Sequence, residues 1–133
     1  MKGLLPTSIL LMLLAIDCKK NSSNDASSKL PMIQHKWALV SRNGEVLRYI
    51  GTDSDYYNFS ANNILYRSIA TSHDTSYYQL SPGNDNILLL FPIANGIKSD
   101  TAESYSIRSL TATQLVLAVG LAPVGIGVDS LKR

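Results

Sequence analysis

The chain has 133 residues, room for one domain, with a formal net charge of +2 and a single cysteine. Its internal basic residues (Arg42, Arg48, Arg67, Lys98 and Arg108) stand singly, which excludes the concentrated positive field that nucleic-acid binding requires. One cysteine excludes an internal disulfide, so Cys18 needs another use.

Lys2 supplies a positive start, and residues 8–16 (SILLMLLAI) form an apolar core. Nine residues are too few to cross a hydrocarbon layer that takes about 20, but they fit the middle of an export signal. The segment Leu14-Ala15-Ile16-Asp17-Cys18 resembles the lipobox of bacterial lipoproteins, although Asp17 stands where a small residue is usual. That resemblance implies cleavage after residue 17 and acylation of Cys18, anchoring the chain in a membrane. Several acyl chains make such attachment durable where one holds only marginally. Removing residues 1–17 takes Lys2 and Asp17 together, leaving the charge at +2. Residues 18–33 open with the Ser/Asn-rich stretch CKKNSSNDASSK and are expected to form a polar tether.

Residues 34–133 read as short alternating segments without clean helical periodicity. Residues 37–41 (WALVS) open the series, with Trp37 and Leu39 on one face as core anchors, and Arg42-Asn43-Gly44 is expected as a hairpin turn. Strands follow at 45–50, 55–60, 64–69 and 75–80, the last closed by Ser81-Pro82-Gly83-Asn84. In the 55–60 strand, Tyr57 and Phe59 share one face while Tyr56 and Asn58 share the other. Residues 86–93 (NILLLFPI) read as a strand buried on both sides, and further strands are expected at 104–110, 114–119 and 126–131. Roughly eight or nine short strands joined by tight turns predict an all-β, up-and-down antiparallel barrel, whose closure removes exposed edges.

The order of motifs resembles that of lipocalin-like domains in envelope lipoproteins of Gram-negative bacteria. The phrases are Trp37-x-Leu39-Val40-Ser41, Tyr57-x-Phe59 before Asn62-Asn63, Tyr105-x-Ile107, and the run from Leu110 to Leu117. The resemblance implies a small lipocalin-like barrel, tethered to the cell envelope and most simply to the outer membrane.

Catalytic chemistry is poorly served. Ser72-His73-Asp74 lies in a stretch expected as a polar turn (71–75), and His35 is the other histidine, so no close metal-ligand grouping is expected. Asp53-Ser54-Asp55 begins like a calcium loop, but Tyr57 and Asn58 stand where that loop needs an oxygen ligand and a glycine. The expectation is a non-enzymatic monomer without metal or cofactor. Of the seven tyrosines, five fall on central strands. Tyr57, Phe59 and Tyr77 are the residues expected to line a site for a small apolar or amphipathic molecule. The alternative is a solid barrel whose surface meets a protein or glycan partner.

Overall fold

The computed structural model describes residues 29–44, 47–121 and 125–133. The expected export signal (1–17), Cys18 and most of the tether lie outside the described residues. Ten strands follow a single helical turn, α1 (Leu30–Ile33), in which Pro31 suits the first turn. They are β1 (Lys36–Asn43), β2 (Arg48–Ile50), β3 (Tyr56–Phe59), β4 (Ile64–Ile69) and β5 (Ser72–Ser81). After them come β6 (Asn84–Ala94), β7 (Ile97–Lys98), β8 (Glu103–Leu110), β9 (Gln114–Leu121) and β10 (Gly125–Lys132). Eight of them, in the order β1-β3-β4-β5-β6-β8-β9-β10, pair antiparallel with their neighbours, and β10 returns to β1. The barrel is therefore closed, as the spacing of strands and turns predicts. β2 and β7 are short additions on β1 and β6.

Three expectations about local structure are corrected. Arg42 and Asn43 belong to β1 rather than to a turn, because both pair with β10. Ser72, His73 and Asp74 lie on β5, since the turn after β4 is only Ala70-Thr71, with Ala70 at φ +54°. In β6 only Leu88 and Leu90 are sealed inside. Ile87, Leu89 and Phe91 on the outer face are half-buried, because nothing beyond single side chains and β7 covers a barrel's outside.

The interior divides into two halves. Trp37, Leu39, Phe59, Tyr78 and Leu131 pack tightly at one end, and Ile33 at the end of α1 joins that core without solvent contact. The Trp37 indole N–H donates to the Ile33 carbonyl at 2.8 Å, so α1 is stitched across this end. The stretch expected as tether thus contributes its last turn to the core. The Phe59 and Tyr78 rings meet edge to face at 5.1 Å, a favoured aromatic geometry. Each large apolar side chain buried in this core contributes about 1.5–3 kcal/mol. The β3–β4 and β5–β6 turns lie at the closed end, and the β4–β5 turn lies at the other, with the last residues of β1 and β9.

Candidate functional site

The second half of the interior is open. A cavity of about 810 Å³ occupies the mouth, within the roughly 300–1,000 Å³ range of small-ligand sites. Its wall comprises Tyr49, Ile69, Ala70 and Val119, and Leu47 stands on the rim, 80% exposed. Small residues keep it open: Gly127 pairs with Val119 across the β9–β10 ladder, an inward position with no side chain to fill the space.

A polar layer separates this mouth from the packed half. Arg42 reaches Asp129 with two hydrogen bonds, Nε to Oδ1 at 2.7 Å and Nη2 to Oδ2 at 2.8 Å. Its Nη2 also donates to the Tyr57 hydroxyl at 2.6 Å, and that hydroxyl donates in turn to Asp129 Oδ2. On β4, beside Tyr57, Arg67 Nε lies 3.0 Å from both carboxylate oxygens of Asp74, and Nη1 donates to the Tyr105 hydroxyl at 3.2 Å. Tyr105 completes the chain by donating to Glu103 at the rim, 3.1 Å away. The Arg67 guanidinium also sits over the Tyr57 ring, 5.6 Å from its centre. Burial, reinforced by the Asp129 carboxylate, pushes the Tyr57 hydroxyl far above the usual phenol range, so it stays protonated and donates.

Arg42 reaches the interior through a bulge. Leu39 pairs with Leu131 and Ser41 with Ser130, so Val40 is an extra residue in β1. The bulge reverses the alternation, and Arg42 faces inward after Leu39 has done so. The freed Val40 carbonyl accepts the N–H of Gly51 at 3.0 Å. Gly51 approaches so closely that a Cβ there would lie 1.9 Å from the Leu39 carbonyl oxygen.

A second buried carboxylate braces the rim. Asp55 Oδ2 accepts from the Tyr49 hydroxyl at 2.7 Å, the Thr52 N–H at 2.6 Å and the Thr52 hydroxyl at 2.8 Å. Its Oδ1 accepts the Ala70 N–H at 2.7 Å. These bonds, led by the Thr52 N–H and the Tyr49 hydroxyl, pull its pKa down to about 2. Asp55 is thus a brace for two loops and not the beginning of an ion-binding loop. Among the described residues, no group of three His, Cys, Asp or Glu side chains is placed to hold a metal ion.

None of the three residues expected to line a site is in the wall of this cavity. Tyr57 and Phe59 share the inward face as their alternation predicts, but Phe59 lies in the packed half, and the buried Tyr57 has its hydroxyl tied into the polar floor by Arg42 and Asp129. Tyr77 points outward, where it meets Phe91 and Lys98, and its inward place is taken by Tyr78. The reason is register. Ile64 pairs with Tyr77 on the outer face, whereas inward Leu65 pairs with Ser76. The cavity residues that sequence reasoning passed over carried a partial signal. Arg67 alternates with Leu65 and Ile69, an arginine placed on an apolar face. Arg42 carried none, since only the bulge turns it inward.

No family model matches the chain, and no curated protein does. Two solved structures share its architecture. A lipocalin-like protein from Bacteroides uniformis superposes with a TM-score of 0.54 at 12% identity, covering 77% of this chain and 98% of its own. An uncharacterized protein from Bacteroides eggerthii gives 0.51 at 15% identity, covering 74% and 98% respectively. The fold is lipocalin-like. At these identities the likeness is one of fold.

Proposed function

We propose that this chain is an exported, non-catalytic monomer, anchored to the cell envelope by acylation of Cys18, that binds a small amphipathic molecule in its barrel mouth. The cavity carries the reading. An apolar wall above a layer of fixed hydrogen-bonding groups matches the usual make-up of small-molecule sites. The polar layer is held by paired side chains before any ligand arrives, which reduces the ordering cost of binding. The described chain starts at the closed end, where Lys29 lies 3.4 Å from Asp85 beside the β5–β6 turn. An anchor at Cys18 would therefore attach opposite the mouth and leave it facing away from the membrane.

Two experiments test the two halves of this reading. An environment-sensitive apolar dye should bind the full chain near one-to-one, and Val119→Trp, which fills the cavity, should abolish that binding with the fold intact. Absence of saturable binding, or binding indifferent to Val119→Trp, would remove the ligand. Separately, Cys18→Ser should move the protein from the membrane to the soluble fraction. A variant still bound to membranes, with no acyl mass on the parent protein, would remove the anchor.

A second reading, a subunit that meets a protein or glycan partner, draws on the outer face. There Ile97 is 73% exposed and Lys98 lies 4.5 Å from the Phe91 ring centre. Failure of dye binding would leave this reading in place of the first.

A further inference from the structure

The floor of the mouth distinguishes between kinds of polar head. Arg42 uses Nε and Nη2 on Asp129, and Arg67 uses Nε on Asp74 and Nη1 on Tyr105. That leaves Arg42 Nη1 and Arg67 Nη2 without a partner among the described residues. No buried side-chain nitrogen or oxygen there lacks a partner, so these two corners are not sealed in protein. Both residues line the cavity, which is where their remaining N–H groups open. The floor is a donor surface.

Its charge, however, is already closed. Each guanidinium has its own carboxylate, Asp129 for Arg42 and Asp74 for Arg67. One further acid, Glu103, stands at the rim as an acceptor for Tyr105. A ligand carboxylate would add an unmatched negative charge to this balanced floor after passing Glu103. An ammonium would bring donors to the donor floor, and Glu103 at the rim, already bonded by Tyr105, is the one carboxylate there without its own guanidinium to meet it. An uncharged head rich in acceptors satisfies the open N–H groups without adding charge to a partly desolvated site.

We infer that the occupant of the mouth is an uncharged amphipath whose head carries hydrogen-bond acceptors such as ester, amide or hydroxyl oxygens. Free acids and amines with the same tail are discriminated against. The inference rests on the binding reading above and gives that site its ligand class. Glu103 acts as a rim charge that disfavours anions, an effect on the order of tenfold in affinity for a like charge several ångströms away in a partly screened site.

Three probes with one tail test this: monolauroylglycerol, laurate and dodecylammonium, each below its micellar concentration at pH 8. They compete with the apolar dye on the full chain. Monolauroylglycerol should displace the dye at a concentration at least about tenfold lower than either charged probe. Glu103→Gln keeps an acceptor for Tyr105 and removes the charge. It should improve laurate about three- to tenfold relative to monolauroylglycerol. Laurate or dodecylammonium binding as well as the neutral ester, or dye displaced by no probe, would overturn the inference while leaving a ligand site. Equal gains for all three probes in Glu103→Gln would overturn the rim-charge role. Failure of the dye itself to bind would overturn the binding reading, a distinct result.

Discussion

Asp55 and Ala70, fifteen residues apart in sequence, are joined at 2.7 Å by the Asp55 carboxylate and the Ala70 N–H. Ala70 adopts φ +54°, a left-handed conformation that disfavours a residue with a Cβ. The carboxylate holds it there, and through Tyr49 the same group fixes a wall of the cavity.

The depressed pKa of Asp55 makes this brace sensitive to acid. The folded value is about 2, against about 3.9 for an unfolded aspartate. A lowered folded value contributes stability that is complete above the unfolded pKa and fades as pH falls through the folded one. Between about pH 4 and pH 2 the melting temperature should therefore fall, and Asp55→Asn should make that limb shallower. Asn offers one acceptor where four donors converge, so the variant should also melt lower at pH 7. Thermal melts across pH would check both outcomes. An unchanged acid limb in Asp55→Asn would show that other carboxylates set it.

Gly51 secures the bulge that turns Arg42 inward. A methyl group there would meet the Leu39 backbone carbonyl at 1.9 Å, and a backbone atom cannot swing aside as a side-chain tip can. Gly51→Ala should cost about 2 kcal/mol or more in chemical denaturation, within or above the usual range for overpacking. Because the displaced segment carries Val40, dye affinity should fall as well. A loss below about 0.5 kcal/mol, typical of surface changes, would mean the segment yields without strain.

Much of the fold was legible because alternation and turn residues act locally. Trp37 and Leu39 are inward, Tyr57 and Phe59 share a face, and Pro82-Gly83 turns the chain with Gly83 at φ +76°. β7 was missed, although Asn95-Gly96 announces it with positive φ at both residues, the signature of a two-residue hairpin loop. The site was far less legible. Tyr77 and Tyr78 are adjacent, and only the pairing register decides which of two similar rings enters the barrel. The polar floor joins residues from six strands, and one of them, Arg42, points inward because of a bulge that no local pattern marks.

Trp37 and Ile33 make the closed end a cooperative unit. The indole is wholly buried, and its N–H is satisfied by the Ile33 carbonyl. Trp37→Ala should cost about 3–5 kcal/mol, a large part of a margin of roughly 5–15. Ile33→Ala removes a buried side chain of the same core and should cost about 2–4 kcal/mol. If Ile33→Ala were silent in denaturation, α1 would be resting on the barrel without closing it.

The same chemical change at two tyrosines separates the polar floor from the outer surface. The Tyr57 hydroxyl accepts from Arg42 and donates to Asp129, so Tyr57→Phe removes two hydrogen bonds to charged groups in a buried layer. Arg42 and Asp129 still hold each other, and the ring still fills its place beside Phe59, 6.2 Å between centres. The loss is therefore that of the hydroxyl alone, about 1.5–3 kcal/mol for bonds to charged partners. Tyr77 lies outside against Phe91 and Lys98, contacts that a phenyl ring preserves. Tyr77→Phe should change stability by less than about 0.5 kcal/mol. Neither ring lines the cavity, so dye binding should survive Tyr77→Phe fully and weaken in Tyr57→Phe only as far as Arg42 loosens. Urea denaturation and dye titration of the two variants decide the matter. Equal stability losses would place both hydroxyls in similar surroundings and contradict the register in which Tyr57 faces in and Tyr77 faces out.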